Sequence, residues 1–242
     1  MILPDLSRPS WIESLGGPSF GVGRHEPYAR ALCAGGGLLT LRPASAGDRV
    51  GAVDFEVGGW CEEATAEEGA LLEGLAGPVL DIGCGPGRLL AAAGVLGLVC
   101  MGIDINAEAV RQARGRGVSA LRQSVFGAVP YPGQWQTLLL LDGNIGIGGS
   151  VTMLLRRCRE LVAPSGTLLV EVEDSDVDSS YKAVLEDRDG NASEAFPWAR
   201  AGRAALLSRA LRTGWALRST LRVQGRVFCF LEPLTLPALS SR

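Results

Sequence analysis

Histidine and lysine each occur once in this chain of 242 residues, as His25 and Lys182. A single histidine excludes a histidine-rich metal site, and no metal is expected. The six cysteines, Cys33, Cys61, Cys84, Cys100, Cys158 and Cys229, are scattered and form no C-x-x-C pair. That usage fits buried free thiols in a reducing compartment rather than a disulfide framework. No apolar run approaches the roughly 20 residues of a membrane span. The start, Met-Ile-Leu-Pro-Asp-Leu, lacks the basic and apolar parts of a signal peptide, so the expected location is cytoplasmic. Long polar tracts and internal repeats are missing as well, and with 47% apolar and 20% charged residues wholesale disorder is excluded. The net charge of −3 lacks the basic surplus of a general nucleic-acid binder. Arginine supplies nearly all of the basic charge, a bias from which no function follows. The length suits one large domain, or one domain with an attached segment.

The most informative stretch is Val79-Leu-Asp-Ile-Gly-Cys-Gly-Pro-Gly87. Its apolar run is strand-length, and Gly83, Gly85 and Gly87 free the following turn for unusual dihedrals and close approach to a ligand. Arg88 then opens a helix whose unpaired N–H groups can meet polar ligand atoms. A second apolar strand ends in Asp104, at the distance where an acidic residue holds a nucleoside ribose. The glycines read G-x-G-x-G, whereas the dinucleotide fingerprint has its third glycine at the place of Arg88. Asp81, inside the motif, would repel a pyrophosphate but suits a ligand carrying an ammonium.

The pattern, with Gly102-Ile-Asp-Ile105 as its second half, resembles the cofactor-binding core of class I S-adenosylmethionine-dependent methyltransferases. The resemblance implies a Rossmann-like α/β fold whose parallel sheet ends in an antiparallel C-terminal hairpin. It assigns the amino-acid part of S-adenosylmethionine to Asp81 and the Gly83-Cys84-Gly85 backbone within the turn closed by Gly87. It assigns the ribose hydroxyls to Asp104 and the adenine face to Ile105. The acidic residue that usually follows the third strand is missing from Gln123-Ser124-Val125-Phe126, where Val125 stands instead. The adenine contacts then fall to the Phe126 backbone and the Ser124 hydroxyl.

Hydrophobic periodicity places strands at 78–82, 98–103, 120–123, 137–141 and 167–172. Helices fall at 88–94, 107–114, 152–161 and 203–212, and a hairpin joins 216–223 to 226–231 across Gln224-Gly225. The expected organisation is an N-terminal lid or substrate segment (1–60), a methyltransferase domain (61–232) and a tail (233–242). Residues 173–200 are an insertion in that domain, with a hairpin across Asp189-Gly190-Asn191 poised as a lid.

Asp142-Gly-Asn-Ile-Gly-Ile-Gly-Gly149 follows the fourth strand, where the methyl group meets its acceptor in this fold. With Phe196-Pro-Trp-Ala-Arg200 it is similar to a subgroup of bacterial small-molecule methyltransferases. Asp142, also counted among the cofactor contacts, and Asn144 are expected in the cleft. Asp142 is a candidate general base, beside a plain turn-capping role. His25 is the other candidate base, beside a surface role. Trp198 and Arg200 are candidates for an aromatic wall and an anion clamp. The expected activity is methyl transfer to a small organic acceptor, at oxygen before nitrogen, because the N-x-P-P-[YF] signature of amide and adenine methylation is absent. A protein or RNA methylase, another enzyme using the sulfonium as a charge, and a cofactor sensor stay open as alternatives. No nucleic acid or membrane partner is expected, and a homodimer is left open.

Overall fold

The computed structural model describes residues 17–22, 26–45, 47 and 50–234, and its strands form two sheets. The chain runs through α1 (Pro27–Cys33), β1 (Leu38–Pro43), β2 (Val53–Glu56), α2 (Val57–Cys61) and α3 (Ala66–Glu73). There follow β3 (Val79–Ile82), α4 (Arg88–Val95), β4 (Cys100–Asp104), α5 (Ala107–Gly115), β5 (Ala120–Arg122) and β6 (Trp135–Leu140). The last elements are α6 (Val151–Leu161), β7 (Val162–Val172), β8 (Asp178–Asp187), β9 (Phe196–Ala201), α7 (Arg203–Ala210), β10 (Trp215–Val223) and β11 (Arg226–Pro233).

The larger sheet has seven strands in the order β10-β11-β7-β6-β3-β4-β5. Strands β5, β4, β3, β6 and β7 are parallel, and β11 and β10 are added antiparallel, as the class I resemblance implied. Both faces of the parallel part are covered, which is why its strands read as unbroken apolar runs. Leu80, Leu138 and Leu168 pack on one face against Leu154, Leu155 and Leu161 of α6 and Leu206 of α7. Their strand neighbours Val79, Leu139 and Leu169 pack on the other face against Leu71 and Leu72 of α3 and Leu89 of α4. This alternation with period two buries both sides of each strand.

The smaller sheet has the order β2-β1-β8-β9. The expected 173–200 hairpin is present, with Tyr181 opposite Trp198. Its first strand is built into a sheet: residues 183–187 of β8 pair with β1 of the N-terminal segment. Leu39, Leu41, Ala183, Leu185 and Phe196 give this sheet a core of its own with Leu32 of α1. Helix α1 starts at Pro27 in the first turn, where the missing N–H is harmless, and Glu26 caps it by accepting from the Tyr28 N–H at 3.0 Å. Helix α3 starts with a reciprocal capping box between Thr65 and Glu68. The 203–212 helix is shorter than expected, passing into a 3-10 turn at Leu211–Thr213 before Gly214. Most of the tail beyond 232 lies outside the described residues.

Candidate functional site

The carboxyl ends of β3, β4, β5 and β6 open into one cavity of about 690 Å³, roofed by the smaller sheet and the N-terminal segment. That size lies within the range of small-molecule sites. Gly83, Gly85 and Gly87 all adopt positive φ, at 76°, 52° and 83°. The Gly83 and Cys84 N–H groups donate to the Ile103 carbonyl at 2.8 and 3.1 Å, which ties the turn to β4. A Cβ on Gly83 would stand 2.7 Å from the Asn144 amide, and one on Gly87 would stand 2.9 Å from Ala113. Gly87 therefore serves the packing of α4 on α5. It is the one expected cofactor residue that does not line the cavity.

Asp81 is 2% exposed, and its carboxylate accepts no hydrogen bond from any described residue. Burial, reinforced by the nearby Asp142 carboxylate, pushes it up to about 7. A buried carboxylate without a donor, facing a cavity, fits the ammonium of S-adenosylmethionine. Asp104 is held differently. Its Oδ2 accepts from the Gly85 N–H at 2.9 Å and its Oδ1 from the Asn106 N–H at 2.8 Å. Burial raises its pKa, and these backbone bonds oppose the rise. Each oxygen retains a lone pair, so the donor set fits a ribose diol. Asn106 also caps α5 and donates to the Gly21 carbonyl at 2.8 Å, pinning the N-terminal segment over the site.

Ile105, Ser124, Val125 and Phe126 line the same cavity, with Gln123 among them. The Ser124 hydroxyl already accepts from the Phe126 N–H at 3.3 Å, so the two expected adenine contacts meet each other. Burial drives the Cys84 thiol far above its usual range, which leaves it inert.

Asp142 sits at φ 54° after β6. Its Oδ2 accepts from Arg88 at 2.7 Å and its Oδ1 from Arg226 at 2.9 Å, while its own N–H donates to Glu171 at 2.7 Å. Arg226 also binds both Glu171 oxygens, and both arginines reach Glu68. Burial raises the Asp142 pKa against the two guanidinium groups. For Glu68 burial also pushes upward, but the bonds from Arg88 and Arg226 win and hold it below its usual value. The carboxylate expected as a base is thus occupied on both oxygens.

Asn144 lines the cavity and donates to the Ile82 and Gly83 carbonyls at 2.9 and 3.0 Å. The glycines after it serve close packing: a Cβ on Gly146 would lie 2.4 Å from the Ala199 carbonyl and from the Trp198 ring. Trp198 is buried and lines the cavity, as expected. Arg200 does not line it; its guanidinium turns to Glu173 at 2.6 and 2.9 Å and to the Gly51 carbonyl. The anion clamp expected of Arg200 is therefore corrected, because Glu173 captures the charge. His25 lies outside the described residues. Phe20, Tyr28, Phe55, Trp60, Arg88 and Lys182 also line the cavity and were not legible as site residues. Among the described residues no group of three or more His, Cys, Asp or Glu is placed to hold a metal, and no helix is long and apolar enough to cross a membrane.

Residues 80–170 match a family described as a methyltransferase domain. Over 112 residues the chain is 30% identical to trans-aconitate 2-methyltransferase of Paracidovorax citrulli, a match covering 45% of this chain and 43% of that protein. The chain thus spans under half the length of this curated relative. An S-adenosylmethionine-dependent methyltransferase of Bacteroides fragilis, solved with S-adenosyl-L-homocysteine, superposes with a TM-score of 0.73 at 17% identity over 90% of this chain and 99% of that one. The 1,6-didemethyltoxoflavin-N1-methyltransferase of Burkholderia thailandensis follows at 0.54 and 18%, over 73% of this chain and 81% of that one. At those identities the structural likenesses establish the fold.

Proposed function

We propose that this chain, which carries an S-adenosylmethionine-dependent class I methyltransferase domain, transfers a methyl group to a small organic acceptor, at oxygen. The observation that carries the reading is the pairing, in one cavity, of a donor-free Asp81 with an Asp104 that keeps lone pairs free beside the glycine turn. A roofed cavity of about 690 Å³ suits a small molecule, and the net charge of −3 lacks the basic surplus that favours a nucleic-acid backbone. A curated relative named for a small acid points the same way.

When bound, S-adenosylmethionine supplies a methyl group on a sulfonium, a leaving group good enough for alignment and exclusion of water to provide much of the rate. Asp81 would hold the ammonium, Asp104 the ribose hydroxyls, and Ile105 and Phe126 the adenine. Asn144, locked to the Ile82 and Gly83 carbonyls, keeps the loop after β6 at a fixed distance from the glycine turn. Asp142, tied to Arg88 and Arg226, orders the floor of the acceptor end without serving as a proton acceptor. The proton of an acidic hydroxyl can leave to solvent, so no dedicated base is required.

Calorimetry with S-adenosylhomocysteine tests the cofactor half: micromolar affinity is expected, and no heat at about 100 μM would overturn the reading. Incubation of methyl-labelled S-adenosylmethionine with a panel of small hydroxy and carboxy compounds tests the other half. Label appearing only in protein or RNA would refute a small acceptor.

A further inference from the structure

Tyr28 carries a hydroxyl that the folded chain leaves unused. The residue is 4% exposed and lines the cavity, and its hydroxyl has no hydrogen-bond partner among the described residues. An unpaired buried hydroxyl costs stability, so one that faces a cavity calls for a ligand group.

Its position is well defined. A Cβ built on Gly85 would stand 3.2 Å from the Tyr28 Oη, so the phenol lies over the middle of the glycine turn. Gly85 in turn donates to Asp104 at 2.9 Å. The ring belongs to an aromatic wall, with Phe20 and Trp60 at 5.2 and 5.8 Å, centre to centre. A Cβ on Gly21 would lie 3.0 Å from the Tyr28 Cδ1, and Asn106 holds that glycine by its carbonyl at 2.8 Å.

The turn is where the amino-acid part of the cofactor is assigned, and that part carries a carboxylate as well as an ammonium. Asp81 suits the ammonium. The carboxylate needs donors, in a cavity also lined by Asp104 and Asp142. The lining cations are engaged or turned elsewhere. Arg88 is bound to Glu68 and Asp142, and Arg122 donates to the Ile105 carbonyl at 3.2 Å. Lys182 shares the Pro197 face of its sheet, opposite Tyr181 and Trp198. The Asn144 amide is spent on the Ile82 and Gly83 carbonyls. A neutral donor also suits the place, because a guanidinium over Gly85 would pair with Asp104 or Asp81 and compete with the ligand. Burial, reinforced by the Asp104 carboxylate, pushes the phenol well above its usual range, so it keeps its proton and stays a donor.

Resting on the methyl-transfer reading, we infer that Tyr28 is a cofactor-binding residue whose hydroxyl donates to the carboxylate of S-adenosylmethionine.

The test titrates the full chain and Tyr28→Phe by calorimetry with S-adenosylhomocysteine, its decarboxylated analogue S-adenosyl-3-thiopropylamine, and 5′-methylthioadenosine, the last two also by displacement of the first. Tyr28→Phe keeps the ring and should weaken S-adenosylhomocysteine about tenfold, the loss of one bond to a charged group. The two ligands without a carboxylate should bind both proteins equally, to within about twofold. Because the hydroxyl has no partner in the ligand-free chain, the urea midpoint of Tyr28→Phe should equal or exceed that of the parent. Equal losses for every ligand would move the hydroxyl to the ribose or to ring packing and overturn the inference. Unchanged S-adenosylhomocysteine affinity or a lowered urea midpoint would overturn it too. Failure of the parent to bind S-adenosylhomocysteine would instead overturn the reading beneath it.

Discussion

Asp81 offers a quantitative handle on the site. Burial and the neighbouring Asp142 lift its carboxyl from the usual 3.8 to about 7 in the folded, ligand-free protein. An ammonium needs the ionised form, so S-adenosylhomocysteine binding should expel a proton wherever Asp81 is protonated. With a pKa near 7 the ionised fraction is about 3% at pH 5.5 and about 76% at pH 7.5, so affinity should rise about 25-fold across that window. The same shift acts on folding with a defined sign. The native state holds this proton more tightly than the unfolded chain, so stability is highest below the unfolded value and falls as pH rises toward 7. Between pH 5 and pH 8 the parent should lose roughly 2.5 kcal/mol relative to Asp81→Asn, which has no proton to lose. Calorimetry in buffers of different ionisation enthalpy counts the released proton, and urea unfolding of both proteins at the two pH values measures the stability term. Affinity constant to within about twofold over pH 5.5 to 7.5, or an equal pH slope in Asp81→Asn, would refute the assignment.

Three further perturbations follow from the geometry. Asp104→Ala removes both acceptor oxygens and should weaken S-adenosylhomocysteine binding by about 100-fold in calorimetry, because bonds to a charged group are each worth about 1.5–3 kcal/mol. Arg226→Met leaves Glu171 without its guanidinium and Asp142 and Glu68 with one partner fewer; it should cost about 2 kcal/mol in urea unfolding, less than for a fully buried pair because Arg226 is partly exposed. Gly146→Ala drives a methyl to 2.4 Å from the Ala199 carbonyl and should lower the unfolding free energy by about 2–3 kcal/mol, whereas Gly69→Ala, with open space around it, should not.

The cofactor end was legible because its parts are close in sequence. Strand, glycine turn, helix and second strand are consecutive, and the chemistry rests on the terminal residues of those strands. The roof was not, because β1 meets β8 across more than a hundred residues, and no local period announces that pairing. The glycines after Asp142 carry no local sign of what they pack on, and only the nearness of β9 shows it. Arg200 read as a clamp candidate because it is an arginine in the insertion beside Trp198. Two residues beyond, Gly202 bridges to Glu173, and that places a carboxylate within reach of the guanidinium first. Asp142 read as a free acid because its two arginines lie 54 and 84 positions away.

The two ends of the cavity also differ in what holds them. At the cofactor end, Asn144 bonds the carbonyls of Ile82 and Gly83, and any side chain on Gly83 would strike it, so the glycine turn and the loop after β6 form one interlocked piece. Both belong to residues 80–170, the segment matching the methyltransferase family. Phe20, Tyr28, Phe55, Trp60, Lys182 and Trp198 all lie outside that segment, on the smaller sheet and the helices and turns packed with it. Substitution there alters the wall without touching the backbone bonds that hold Asp104. The match to that family therefore bears on the glycine turn and Asp104 far more than on the aromatic wall, whose residues all lie outside it.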